Sequence, residues 1–414
     1  MQERIIFHID VNSAFLSWEA VERLAAGETV DLRKIPSAVG GDIETRHGVI
    51  LAKSIPAKKY GVTTGEPVVD ALRKCPDLTL VKPHHSMYRE KSRAFIAILE
   101  QYSDVIEQVS VDEAFVDMTG TRRLFGEPVE AAYRIKEQVH RELGFTVNVG
   151  ISSNKILAKM ASDFEKPDKV HTLFPDEIQK KMWPLPVRDL FFVGKAAEKK
   201  LLSMGIRTIG DIATTDPNIL TNTMKKQGEV LWRYANGIDD APVETEVQDA
   251  KGYGNSTTMP FNVTEAADAK SVLLSLTDHV CRRLRRDSVK VESVTVQLRF
   301  HNLTRMSHQC PLPAATNITR EIYTYVCQLF DEMWDGTPIR LLGVSTTKVS
   351  HEDKGRQMSL FDDTDYEKLE KLDHAMDAIR EKFGAGTVMR ASDMAGELDK
   401  KRAPIKTEGK MDRT

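Results

Sequence analysis

Three carboxylates stand out by where they fall. Asp10 closes the apolar, β-prone run at 4–10 (RIIFHID) and precedes a stretch of helical character at 12–26. That places it at a strand end, beside the N–H groups of a starting helix. Asp112 and Glu113 lie together inside 105–118 (VIEQVSVDEAFVDM), where Val109, Val111 and Phe115 give a hairpin pattern. Adjacent acids in an apolar strand are unfavourable if buried unpaired, and consecutive strand residues point to opposite faces. A divalent cation at a bent hairpin offsets both problems. Two Mg²⁺ ions roughly 3.5–4 Å apart can clamp the attacking and leaving oxygens of an in-line phosphoryl displacement. Hard oxygen ligands suit Mg²⁺, which keeps waters and substrate phosphates in its shell. The plain alternative is surface charge, which is what a lone Asp-Glu pair usually is. The S-V-D-E-A-F-V-D context moves the balance towards a metal site.

Periodicity gives the elements that must position these acids. Residues 12–26 read as a helix with Asn12 or Ser13 as N-cap. Residues 36–70, with Gly40, Gly41, Gly48, Gly61 and Gly65, read as a turn-rich subdomain of short strands with one short helix near 56–60. An amphipathic helix follows at 85–103, then the hairpin, a helix at 127–142, a strand at 145–151 and a helix at 153–164. This order predicts an α+β layer, a sheet with helices on one face. Residues 176–236 read as short helices, and 192–212 (FVGKAAEKKLLSMGIRTIGDI) resembles a helix-hairpin-helix. That motif offers backbone N–H groups, here around Gly194, to a DNA phosphate. Phe192 stands where a first glycine is usual, and a plain helical turn is the alternative. The polar stretch 237–250 reads as a linker, followed by a helix at 265–287, a half-buried strand at 291–300, a helix at 318–334 and a strand at 339–349. The remainder, 351–414, carries one helix at 366–383 and a charged end with the composition of disorder.

With 414 residues and 41% hydrophobic content the chain should hold two to four domains. The sequence shows no apolar run of membrane-spanning length and no signal-peptide layout. Cys75, Cys281, Cys310 and Cys327 form no C-x-x-C, so a disulfide framework or structural zinc is not expected, and a reducing cytoplasm is. The net charge of −3 does not announce a polyanion binder, yet the charge is segregated. Arg282, Arg283, Arg285, Arg286, Lys290, Arg299 and Arg305 make one basic region, while acid gathers at 362–370.

HIDVNSAFLSWEA (8–20), AVGG (38–41), SIPAKKYGV (54–62), SVDEAFVD (110–117) and GISSNKILAKMASDFEKP (150–167) occur in this order. Together they resemble the Y-family translesion DNA polymerases, in the bacterial DNA polymerase IV and UmuC-like branch, from residue 4 to about 350. The resemblance implies an α+β, multidomain right hand. It would have a palm (1–35 and 71–170), fingers (36–70), a helical thumb (171–238), a linker (239–250) and a βαββαβ little finger (251–350). It implies that Asp10, Asp112 and Glu113, with the backbone carbonyl of Val11, bind two Mg²⁺ ions, Glu113 being the active-site acid. Phe15 matches the steric gate that rejects a ribose 2′-OH. The backbone around Ser13 and Ala14 should face the triphosphate, and Lys58 and Lys166 should neutralise phosphate charge. Asn12, Ala52, Ile55 and Lys58 depart from the family's usual aspartate, threonine, tyrosine and arginine. Lys53 could replace a lost contact, though a solvated lysine is the weightier reading.

Primer-template DNA and dNTPs are the implied partners, held through phosphates by Gly194 in the thumb and by Arg282, Arg285, Arg299 and Arg305 in the little finger. Gln357-Met358-Ser359-Leu360-Phe361 looks like a bacterial sliding-clamp-binding peptide, with Met358, Leu360 and Phe361 suited to an apolar groove and Gln357 to polar anchoring. Low-fidelity synthesis past lesions, without proofreading, by a cytoplasmic monomer is the expectation. A non-catalytic DNA- and clamp-binding accessory protein is the alternative. Gly40-Gly41-Asp42-Ile43-Glu44 resembles a diguanylate cyclase signature, but it lies away from the acidic hairpin. Gly40 and Gly41 are read instead as room for the nascent base pair.

Overall fold

A computed structural model describes residues 4–41, 48–246, 249–351, 364–384 and 386–388. These fall into two compact units that divide near residue 247. The first unit begins with β1 (Ile6–Val11), α1 (Ala14–Ala25), β2 (Ser37–Gly40), β3 (Ile50–Lys53), α2 (Ile55–Lys59), α3 (Val68–Lys74) and β4 (Thr79–Val81). It continues with α4 (His85–Leu99), β5 (Ile106–Gln108), β6 (Glu113–Asp117), the short turn α5 (Arg122–Phe125), α6 (Pro128–Leu143), β7 (Val147–Ser152), α7 (Lys155–Asp163) and β8 (Val170–Thr172). Five strands form one sheet in the order β5-β6-β1-β7-β8.

β1 sits at the centre because all six of its residues find cover. Phe7, Ile9 and Val11 point one way and are buried, and α6 packs on the neighbouring β7 and against α4. Ile6, His8 and Asp10 point the other way, towards α7. The close approach of α7 requires Gly150, since a Cβ there would lie 2.0 Å from the Ala158 carbonyl oxygen. The sheet therefore carries helix on both faces, where the sequence predicts one. The β7–α7–β8 crossover between parallel strands supplies the second cover.

The turn-rich segment folds as a three-stranded sheet, β3-β2-β4, against α2 and α3. It runs past residue 70, because β4 pairs in parallel with β2. Gly40 is accounted for inside this sheet: its missing Cβ leaves 3.1 Å to Val68 Cγ2. Asp42, Ile43 and Glu44 lie outside the described residues. The helices α8 (Ile178–Lys181), α9 (Lys195–Ser203), α10 (Ile209–Thr214), α11 (Pro217–Met224) and α12 (Lys226–Ala235) bury Leu201, Ile209, Ile212, Leu220 and Leu231. The polar stretch after them is pinned rather than loose. The Ile156 N–H donates to Asp239, Lys155 donates to the Pro242 carbonyl, and Val243 packs on Ile6, Phe115 and Ala158.

The second unit holds β9 (Gly252–Val263), α13 (Ala266–Arg286), β10 (Lys290–Phe300), β11 (Arg305–Thr316), α14 (Thr319–Met333), β12 (Ile339–Ser350) and α15 (Tyr366–Phe383). The βαββαβ order expected for the little finger is present, as an antiparallel sheet β11-β10-β12-β9 backed by α13 and α14. Val294, Val296, Leu298 and Phe300 face that helical layer. Sequence reading left β9 and β11 unassigned; both carry long polar stretches that dilute the alternation. Gln357, Met358, Leu360 and Phe361 lie outside the described residues. Among the described residues no helix is long and apolar enough to cross a membrane.

Candidate active site

β1 delivers Asp10 to the sheet end, and the register sets it opposite Glu113 on β6 and Asn148 on β7. Opposed residues in an antiparallel pair share a face, so Asp10 and Glu113 stand side by side. Asp112 is held at the tip of the hairpin, where its carbonyl accepts the Val11 N–H at 2.9 Å. Its carboxylate takes the Ser110 hydroxyl at 2.5 Å. Burial, reinforced by the charges of Asp10 and Glu113, raises the Asp112 pKa against that hydrogen bond.

Glu113 is shifted the other way. The His8 imidazole, with the Lys159 ammonium, brings its carboxyl down to about 2 in spite of burial. Lys159 makes the directed bond at 2.7 Å; His8 Nε2 is 3.3 Å away and outside hydrogen-bonding geometry. Burial lowers the His8 pKa, while Glu113 beside it pulls the other way. Its Nδ1 is fixed by Ser162 Oγ at 2.8 Å. Asp10 is paired with Lys166, which also bonds Asp163 at 2.8 Å. Asp10 and Glu113 thus meet lysines on or just after α7, while Asp112 does not, and among the described residues no cluster of three His, Cys, Asp or Glu is arranged to hold a metal.

A cleft of about 510 Å³ opens beside them. Asp10, Val11, Ser13, Ala14, Phe15, Asp112, Lys58 and Lys166 all line it, and Glu113 does not. Ser13 occupies the N-cap position of α1 in a left-handed conformation, φ 47°, and makes no capping bond. The predicted Asn12 or Ser13 cap is therefore absent, and the first turn reaches the cleft uncapped. Asn12 is used elsewhere: it donates to Asn148 at 3.0 Å and accepts from Thr146 and from the Asp168 N–H. Ala52 and Ile55 line the same wall as Lys58.

Lys53 is partly exposed. It faces the cleft, bonds Thr64 at 3.3 Å, and has its pKa lowered by burial and by Lys58. Arg33 also lines the cleft, braced by Asp31 at 2.9 Å and the Gly144 carbonyl at 2.8 Å. Nothing in its local sequence marks it. Phe15 stacks on Tyr88 with ring centroids 4.5 Å apart and planes 10° from parallel. Tyr88 and Lys159 went unmarked because each looks like an ordinary helix residue until tertiary contact is made.

Arg285 must be withdrawn from the expected DNA contacts. Its side chain is 3% exposed and bonds Asp377 and Asp373 of α15, the Asn317 carbonyl and Thr319. Arg282 is half-buried on the same helix. Arg299 and Arg305 pair across β10 and β11, on the face away from α13 and α14. Gly194 caps α9, and an added Cβ there would meet open space.

The fold is shared with a solved Y-family DNA polymerase chimera: the TM-score is 0.73 at 23% identity, covering 84% of this chain and 100% of that one. That likeness is one of fold. Models of the impB/mucB/samB family match residues 9–163, its C-terminal domain 250–360, and the IMS family HHH motif 175–206. DNA polymerase IV of Clostridium acetobutylicum is 45% identical, over 94% of this chain and 98% of its own. DNA polymerase IV 2 of Bacillus subtilis is 38% identical, over 98% of both. This chain belongs to the impB/mucB/samB family of Y-family DNA polymerases.

Proposed function

We propose that the cleft between Asp10, Asp112 and Phe15 is where this enzyme joins a deoxynucleotide to a primer end. The chain is a DNA-directed DNA polymerase of the translesion class, acting on primer-template DNA and nucleotides with a divalent metal. The assignment of residues is our reading. It is carried by one observation: two acids, an uncapped helix start, three lysines and an aromatic ring line a single cleft.

Asp10, Asp112 and the Val11 carbonyl supply hard oxygen donors at an open site, which suits two Mg²⁺ ions that share substrate phosphates as ligands. Glu113, bonded by Lys159 beside them, is the further acid that would hold an ion. Bound there, the ions would supply charge stabilisation for the attacking and leaving oxygens. The protein's own contribution is positional. The first turn of α1 presents N–H groups to the triphosphate, Lys58 and Lys166 offset its charge, with Lys53 and Arg33 in support, and Phe15 lies where a sugar would rest.

The five-stranded sheet corresponds to a palm, the three-stranded sheet to fingers, α8 to α12 to a thumb and the second unit to a little finger. Gly194, Arg282, Arg299 and Arg305 are proposed to hold DNA backbone. The 297–299 and 305–309 faces of β10 and β11 carry Gln297, Ser307 and Gln309 beside the two arginines and no carboxylate. The peptide Gln357–Phe361 is proposed to bind a sliding clamp, raising local concentration at the primer end. A cytoplasmic monomer without proofreading fits this set. The intact acid set and the family disfavour an accessory protein.

The test is primed-template extension with dNTPs and Mg²⁺. Phe15→Ala should raise ribonucleotide use by roughly 10²-fold or more relative to dNTPs. Unchanged sugar selectivity would remove Phe15 from the gate.

A further inference from the structure

Glu19 is a carboxylate in the middle of α1, 2% exposed, flanked by the buried Trp18 and Ala20. Burial of such a charge is strongly disfavoured unless partners surround it. Its partners are specific. The Tyr88 hydroxyl donates to Oε1 at 2.6 Å, His84 Nδ1 lies 2.8 Å from the same oxygen, and Arg23 Nε is 4.0 Å from Oε2. Neither metal, phosphate nor base-pair chemistry calls for a carboxylate there.

The use lies one residue further on. Tyr88 is fully buried on α4, and its ring is the platform under Phe15, 4.5 Å away and 10° from parallel. Trp18 tilts against the same ring at 5.7 Å, and His85 meets it edge-on at 5.7 Å. A steric gate discriminates a hydroxyl only if its ring cannot yield, and a ring yields when its backing can move. The Glu19 carboxylate fixes the far end of Tyr88, and Tyr88 fixes the face of Phe15.

We propose that Glu19 is a positioning residue for sugar selection, acting through the Tyr88 hydroxyl to keep Phe15 rigid. This rests on the reading of Phe15 as the gate. The measurement is the ratio of kcat/KM for a dNTP over the matching ribonucleotide. Tyr88→Phe keeps the stack and loses the donor, so the ratio should fall by up to roughly tenfold, as a hydrogen bond to a charged group allows. Glu19→Gln keeps an acceptor and should fall less; Glu19→Ala should fall at least as far as Tyr88→Phe. A purely structural role would lower dNTP and ribonucleotide use in the same proportion and leave the ratio unchanged, which overturns the proposal. Where Glu19→Ala does not fold, Tyr88→Phe and Glu19→Gln decide. Phe15→Ala separates the two readings. If it lowers the ratio and Tyr88→Phe does not, only the Glu19 role fails. If Phe15→Ala leaves the ratio intact, the gate falls and the Glu19 role falls with it.

Discussion

The two large sheets of this protein treat charge in opposite ways. In the first unit, acids at the end of β1 and β6 are drawn into a partly buried site and left short of complete pairing. Asp112 has a hydroxyl and no cation, and its pKa is raised; Glu113 and Asp10 are each held by a lysine. In the second unit, Arg285 is more deeply buried yet fully satisfied, with Asp373 also accepting the Thr319 N–H at the start of α14. A buried charge with every partner supplied is architecture. A buried charge short of partners is the kind we propose is held for a substrate or an ion.

The sharpest way to break this contrast is Asp112→Asn. Extension should fall by roughly 10³-fold, while urea unfolding shows unchanged or greater stability, because burial disfavours the charge in the folded state. A clear loss of stability would make Asp112 structural. Next, Arg285→Met should destabilise the protein by about 3–5 kcal/mol, since it strands Asp373. Arg299→Met should stay within about 0.5 kcal/mol. Denaturant curves that reverse this order would sink the comparison.

A smaller effect follows from Glu113. Its folded pKa of about 2 lies below the ordinary 4.5. Its stabilising contribution is therefore complete above pH 4.5 and is lost as pH falls towards 2. Glu113→Gln should flatten that acid limb in unfolding midpoints. Smallest of all, replacing Arg299 or Arg305 by Gln should each reduce the salt slope of DNA binding by about 0.9. A slope that does not change would remove that arginine from the DNA face.

Much of the first unit was legible because its signals are local. A strand ending in Asp10, a hairpin carrying Asp112 and Glu113 and an aromatic at the start of a helix need only neighbouring residues to be seen. The order of helices and strands followed from periodicity for the same reason, and the long polar strands β9 and β11 escaped because theirs is weak. Arg285 was misread for the converse reason. On its own helix it belongs to a basic run; its partners lie 88 and 92 residues away on α15.

The sequence by itself determined which residue types stand at the strand ends, that an aromatic follows them, and the family resemblance that implies phosphoryl transfer. Only the tertiary structure decided what each charge does. It placed α7 on the second face of the sheet through the notch at Gly150, so that Lys159 reaches Glu113 and Lys166 reaches Asp10 across 156 residues. It folded α15 over Arg285, and it stacked Tyr88 beneath Phe15. A charge takes its role from desolvation and from its partners, and both are set by segments remote in the chain.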